Sequence, residues 1–407
     1  MKSMKSLCIL GRQPAISLAE LESRYGAGAV TPIKQDIALV DRQPDISQLG
    51  GTQKIARLYA VTTQKSWKDI EHYLKETLPT QLADMPDKKL HLGISVYGIN
   101  VSLGQLQKTT FALKRTLKQH GHSIRIVPNK SLALSSAQVL HNHFTDDNGA
   151  EIVLAQGKDG QLYIGKTTAV QDIDSYTARD QKRPKRDAKV GMLPPKLAQI
   201  IINLAERREQ KQVKGSAYEQ APISLTVLDP FCGTGVILQE ALLMGFTAYG
   251  SDIEKRMIEY TEANLAWLAH SLDLKNLKYT TVTADATTHE WELPFDTIAC
   301  EAYLGRPFSA SPDEKTLNKV MQDVDTIHRK FLKNVARQTE PGFRMCIAVP
   351  CWIINEKKHH LKTLDKLEGL GYTRQSFVHA ENQDLIYHRE GQIVGRELLV
   401  LTRNYKS

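Results

Sequence analysis

A chain of 407 residues is longer than one ordinary hydrophobic core and implies two or three domains. Its 41% hydrophobic and 24% charged residues match a soluble globular protein, which excludes a disordered chain, and no run of 18 apolar residues marks a bilayer-spanning helix. The net charge of +8 is uneven: residues 1–190 hold 27 Lys/Arg against 18 Asp/Glu, and the remainder 26 against 27. A basic module joined to a near-neutral one predicts that the first meets a polyanion while the second does chemistry; a merely solvated basic surface is the alternative. Five cysteines (Cys8, Cys232, Cys300, Cys346, Cys351) show no C-x-x-C spacing, so no metal is expected and a reducing cytoplasm suits them.

In chain order, LCIL (7–10) reads as a strand, not a signal segment, and ISLAELESRYG (16–26) as a helix stopped by Gly26. LHLGISVYG (90–98) is a buried strand. A basic helix over 103–121 follows, with Leu106, Phe111, Leu113 and Leu117 assigned to one side. A strand at 123–127, a short helix at 135–142 and strands at 151–156 and 161–168 around a GKDG turn complete an α+β region. Residues 172–195 hold few apolar side chains and six cations between Arg179 and Lys189, which predicts a linker that touches phosphate. Pro194 and Pro195 then start an apolar-striped helix, followed by a polar loop over 206–222. From Leu225 strand, turn and helix alternate, with a long helix near 313–336 and another near 357–369. This predicts a parallel sheet covered on both faces, closed by an antiparallel terminal hairpin without an intervening helix.

The chemistry concentrates at DPFCGTG, Asp229 to Gly235. Ligands in such sheets sit beyond the strand C-termini, and Gly233 and Gly235 let a cofactor approach the backbone. Asp229 is placed to accept from a positively charged amino-acid group, Asp252 at the second strand end from both ribose hydroxyls, and Asp285 in VTADA at the third from an adenine amine. A nicotinamide dinucleotide also wants glycines and a later acid. G-x-G-x-x-G is incomplete, however, because Leu238 stands at its third glycine, and Asp229 would repel a pyrophosphate. S-adenosylmethionine, with an ammonium and a sulfonium but no phosphate, fits better.

DPFCGTG, the following SDI and the incoming GMLPPKLAQIIINLA helix resemble the THUMP-domain tRNA guanine-N2 methyltransferases, as do LGRQPAISLAELESRYG and SYTARDQKRPKRD upstream. The resemblance covers nearly the whole chain. It implies a ferredoxin-like region over 1–65, a THUMP-like RNA-binding domain over 66–170, a basic linker over 171–190 and a class I, Rossmann-like methyltransferase domain over 191–407. It implies S-adenosylmethionine contacts from Asp229, Phe231, Gly233, Gly235, Asp252, Ile253, Asp285 and Ala286. RNA contacts are expected from Arg179, Lys182, Arg183, Lys185 and Arg186. The expected protein is a cytoplasmic monomer acting on tRNA away from membranes, with a small activator subunit as one option.

Amine methyltransferases usually carry DPPY or NPPY after the fourth strand, whereas EAYLG stands here at 301–305. Aligned on Gly305, Glu301 replaces the acid that accepts from the amine, Ala302 and Tyr303 replace the prolines, and Leu304 falls where the aromatic is expected; Tyr303 can stack on the base if the loop shifts by one residue. Glu301 and Tyr303 are the candidate catalytic residues. Three outcomes stay open: an altered but active RNA base methyltransferase, another acceptor such as a DNA adenine or cytosine amine, and an RNA-binding or assembly factor that binds cofactor without transfer. The cysteines are expected to be small buried hydrophobes rather than zinc ligands, and the H-x-H at His141 and His143 a solvated helix end.

Overall fold

The computed structural model describes residues 4–83, 85–86, 88–187, 192–206, 225–308 and 310–405. Its contacts divide into one unit of residues 1–14, 28–47 and 52–175, and a second of residues 15–27, 48–51 and 176–407.

The first unit is built on one sheet of β1 (Ser6–Leu10), β2 (Val30–Lys34), β3 (Ile37–Val40), β4 (Thr52–Thr62), β5 (Leu90–Tyr97), β6 (Ile124–Ile126), β7 (Gly149–Gln156) and β8 (Leu162–Val170), ordered β2-β3-β1-β4-β8-β7-β5-β6. Antiparallel pairing of β4 with β8, Lys54 opposite Val170 and Thr62 opposite Leu162, makes the sheet continuous across the two regions expected on either side of residue 65. β5 and β7 pair in parallel and are buried almost throughout, which is why they are apolar runs rather than alternating ones.

Helix α1 (Pro14–Tyr25) follows β1 in the chain and from Ala15 belongs to the second unit, whereas α2 (Trp67–Gln81), α3 (Leu103–Gln119) and α4 (Ser136–His141) belong to the first. α2, absent from the sequence reading, starts where the Ser66 hydroxyl accepts from Asp69 N at 3.2 Å, and buries Ile70, Leu74 and Leu78. α3 opens with a reciprocal cap between Ser102 and Gln105. Its buried stripe is Leu106, Leu113 and Leu117, but Phe111 is 54% exposed, against the expectation. Five residues beyond Leu106 at 100° each, Phe111 points ~140° away from the stripe.

The second unit carries α5 (Ile173–Gln181) from Tyr176 on, α6 (Pro195–Ala205), β9 (Thr226–Asp229), α7 (Val236–Leu243), β10 (Thr247–Asp252), α8 (Lys255–Ser271), β11 (Tyr279–Thr283), β12 (Thr297–Glu301) and α9 (Glu314–Gln338). β13 (Arg344–Ile354), β14 (Lys357–His359), β15 (Tyr372–Arg374), β16 (Ile386–Tyr387) and β17 (Val394–Arg403) complete it. The strand order is β11-β10-β9-β12-β13-β17-β15, with β14 on β13 and β16 on β17. β9 to β13 run parallel and β17 is antiparallel to β13, so this is the expected Rossmann-like sheet with an antiparallel terminal hairpin. Pro195 occupies the first turn of α6, which is buried on nearly every side.

The helix expected near 357–369 is replaced by the β13–β14 hairpin and two 3₁₀ turns, Lys362–Lys366 and Glu368–Leu370. Asn355 and Glu356 both have positive φ, 49° and 65°, and form the tight two-residue turn that right-twisted strands prefer.

The expected linker is also largely built into the second unit. Arg179 Nε and Nη2 donate to Glu240 Oε1 and Oε2 at 2.8 and 3.3 Å, and the Tyr176 hydroxyl donates to Gln199 Oε1 at 2.5 Å. Arg183 is buried as well and donates to Thr234 Oγ1 at 3.3 Å. Arg179 and Arg183 are therefore interior cations rather than surface phosphate contacts. Lys182, Lys185 and Arg186 are exposed, while Lys189 and residues 207–222 of the expected polar loop lie outside the described residues.

Candidate active site

β9, β10 and β11 each deliver a carboxylate at or just past their C-terminal ends, and the intervening turns fix its orientation. Asp229 Oδ1 accepts from Phe231 N at 3.0 Å. Asp252 accepts from Gly233 N through Oδ2 and from Glu254 N through Oδ1, both at 2.9 Å. Each Asp252 oxygen keeps a second lone pair, enough for two hydroxyl donors. Asp285 Oδ1 accepts from the backbone and the hydroxyl of Thr287, both at 2.8 Å.

These groups line a cavity of about 660 Å³, together with Phe231, Gly233, Ile253, Ala286, Glu301 and Tyr303. Gly235 is the one expected cofactor residue outside its wall. It caps α7 at φ 85°, and a Cβ there would lie 2.9 Å from Thr261 Cγ2, so its glycine serves the turn and its packing on α8 rather than contact with the ligand.

The cavity is acidic at its base. Burial raises Asp229 well above the usual carboxylate range, and the charges of Asp252 and Glu301 raise it further. Asp252 is raised mainly by burial, against the pull of its backbone donors. Glu301, at the end of β12, is raised by burial although the Arg396 guanidinium works in the opposite direction through Nε and Oε1. Arg256, a cation on the wall, is engaged by Asp187 at 3.0 Å and Glu254 at 3.4 Å. Lys330 lines the cavity from an exposed position.

Asp229 and Asp252, whose hydrogen bonds come from backbone N–H groups rather than from cations, favour a ligand that carries positive charge. Ile253, 67% exposed although apolar, offers a flat contact for a heterocycle. The lining therefore fits S-adenosylmethionine, which carries an ammonium and a sulfonium and no phosphate.

On the acceptor side, Glu301 is brought into the same cavity as Asp229, and Tyr303 stands beside it, 45% exposed. The sequence reading missed Arg396 because it lies 95 residues from Glu301. It reaches Glu301 from β17 with β13 between, a relation that only the sheet order reveals.

All five cysteines are buried; Cys232 borders the cavity and the others lie away from its wall. Cys351, His360 and Glu397 bring metal-ligating atoms within 4.8 Å of one another outside the cavity. Glu397 already accepts from Arg374 Nη1 at 2.9 Å and from His360 Nδ1 at 2.5 Å, which satisfies its charge without a metal. The side chains of His143 and Asp146 pair at 3.0 Å on the surface.

Residues 224–391 match the family described as "Methyltransferase domain". The chain is 28% identical over 176 residues to tRNA (guanine(10)-N2)-dimethyltransferase of Methanothermobacter thermautotrophicus, which covers 43% of each protein. It is 29% identical over 161 residues to the protein of the same name from Pyrococcus abyssi, covering 39% of each. The chain thus matches less than half the length of these curated relatives. Among solved structures, that of TrmN from Thermus thermophilus aligns with 98% of this chain and 99% of its own at 14% identity, with a TM-score of 0.48. No helix among the described residues is long and apolar enough to cross a membrane. The chain therefore carries a methyltransferase domain, which uses S-adenosylmethionine as methyl donor, and its curated relatives are tRNA guanine-N2 methyltransferases.

Proposed function

We propose that this protein methylates the exocyclic N2 of a guanosine in tRNA. The observation that carries the reading is the pairing of the two halves of such a site in one cavity: Asp229, Asp252 and Asp285 for the cofactor, Glu301 and Tyr303 for the base. The names of the relatives and the excess of cations in residues 1–190 support RNA as the substrate. On this reading residues 66–170 form the RNA-binding domain, and the exposed Lys182, Lys185 and Arg186 add phosphate contacts next to the catalytic domain.

Bound in the cavity, S-adenosylmethionine supplies a sulfonium methyl that a nitrogen lone pair can take directly, with the carbon–sulfur electron pair left on sulfur. The chain's own residues orient and desolvate. Asp229 and Asp252 hold the donor, so the reacting atoms meet in a fixed geometry rather than by diffusion. Glu301 accepts an N–H of the amine, which turns the nitrogen lone pair toward the methyl group, and then takes the surplus proton and passes it to water. Tyr303 stacks on the unpaired base, a contact of about 1–3 kcal/mol.

With labelled cofactor and bulk tRNA, the wild-type protein is expected to label RNA, and Glu301→Ala to reduce the rate by at least ~100-fold. Equal labelling by both proteins would remove Glu301 from the mechanism. Cofactor binding without transfer to any RNA would favour an RNA-binding or assembly factor.

A further inference from the structure

Glu301 is an unusual residue to leave in an acidic cavity. Its side chain is 13% exposed and shares the space with Asp229, from the neighbouring strand β9, and with Asp252 on β10. Cys300 and Ala302 adjoin it in the chain, and Tyr303 and, from α9, Lys330 line the cavity. The register partner of Glu301 on β13 is Ala348, which brings no charge. Burial favours the protonated form of this carboxyl, and a protonated Glu301 would present a hydroxyl where an amine needs an acceptor.

Arg396 works against that protonation. It lies opposite Pro350 on β17, is 8% exposed, and donates through Nε to Glu301 Oε1. Among the described residues Oε1 is the tied oxygen, and Oε2 accepts no hydrogen bond. We propose that Arg396 is a positioning residue for methyl transfer: from β17 it ties one oxygen of Glu301, so that the other oxygen faces the acceptor amine. The inference rests on the methyltransferase reading above and adds a residue to it. The ion pair takes no part in bond exchange. The nitrogen forms its bond to the methyl carbon, sulfur keeps the electron pair, and the amine proton leaves through Glu301 Oε2 to water while the Arg396 bond to Oε1 persists.

A structural role would make Arg396 matter for folding alone. A positioning role makes it matter for the pH at which Glu301 works, because losing the guanidinium leaves burial to favour the protonated form. Two substitutions separate these roles. Arg396→Lys keeps the charge, and Arg396→Gln keeps an N–H donor without it. S-adenosylmethionine affinity, melting temperature and the pH dependence of kcat for tRNA labelling would be measured on both and on the wild type. Arg396→Gln is expected to bind cofactor as the wild type does, to lose roughly 10- to 100-fold in kcat at neutral pH, and to recover as pH rises, its acid limb displaced upward. Arg396→Lys is expected to retain most of the rate with the acid limb near its wild-type position. Wild-type kcat and pH profile in Arg396→Gln would overturn the proposal while leaving the methyltransferase reading intact. So would a loss confined to melting temperature or shared with cofactor affinity. An absence of transfer in the wild type itself would overturn both.

Discussion

Replacing Asp229 by asparagine is expected to make the ligand-free protein more heat-stable and to abolish most of its affinity for S-adenosylmethionine. Both effects come from one buried carboxylate. Asp229 is 2% exposed, and burial together with Asp252 and Glu301 raises it well above the ordinary range. A carboxyl whose folded-state pKa is raised contributes its full stability below the unfolded value near 4, and loses it as pH rises through the folded value. Above the unfolded value the buried carboxyl therefore weakens the empty fold, whether it stays ionised without hydration or takes up a proton. Asparagine keeps an oxygen for the Phe231 N–H, held at 3.0 Å, and removes the charge. The gain is expected to be roughly 1–3 kcal/mol.

The same charge is what a cationic ligand meets. Losing one partner of a desolvated charge pair costs about 2–5 kcal/mol, or roughly 30- to several-thousand-fold in affinity. Wild-type affinity should also fall as pH drops through the raised Asp229 value, because protonation competes with the ligand's positive end. Thermal unfolding with and without S-adenosylmethionine, at pH 8 and near pH 5, checks all three outcomes. A variant that melts below the wild type yet shifts normally with cofactor would contradict the assignment.

Arg179→Ala is expected to cost about 3–5 kcal/mol of folding stability, the largest effect anticipated from a single surface-like position in the sequence. Glu240 is 0% exposed, and Arg179 satisfies both of its oxygens at 2.8 and 3.3 Å. Truncating the arginine leaves a buried carboxylate, already raised by burial, without its main counter-charge. Replacing both residues by apolar ones of similar size, Arg179→Met with Glu240→Leu, should restore much of the loss, since neither partner is then stranded. Urea unfolding midpoints of the single and double variants test this directly. If Arg179→Ala unfolds with the wild type but binds tRNA more weakly, the residue is the phosphate contact that its basic surroundings suggest, and the buried pair is not what holds it.

Those two residues show where sequence was sufficient and where it was not. Asp229, Asp252 and Asp285 were legible because each stands next to a strand end, and strand, turn and helix are local patterns. Gly235 was legible as a turn residue but not as a packing residue, since its neighbour Thr261 sits on another helix. The run from Arg179 to Arg186 looked uniformly basic, yet Arg179 on the last turn of α5 and Arg183 just beyond it point inward, while Lys182, Lys185 and Arg186 stay outside. Linear charge carries no information about which side of an element faces the core. Residues 357–369 show the reverse failure: their leucines suggest a helix, while the left-handed Asn355 and Glu356 turn the chain back on β13. Arg396 was invisible for topological reasons, because the partner of Glu301 is set by the order β12-β13-β17 and by nothing near either residue in the chain.

The most direct test is the identity of the methylated nucleoside. Unmodified tRNA transcripts would be incubated with the protein and S-adenosylmethionine, digested, and analysed by mass spectrometry. N2-methylated guanosine is predicted with the wild type, and its near absence with Asp229→Asn. A protein that binds the cofactor but leaves every guanosine unmethylated, or that places the methyl group on another base, would contradict the account.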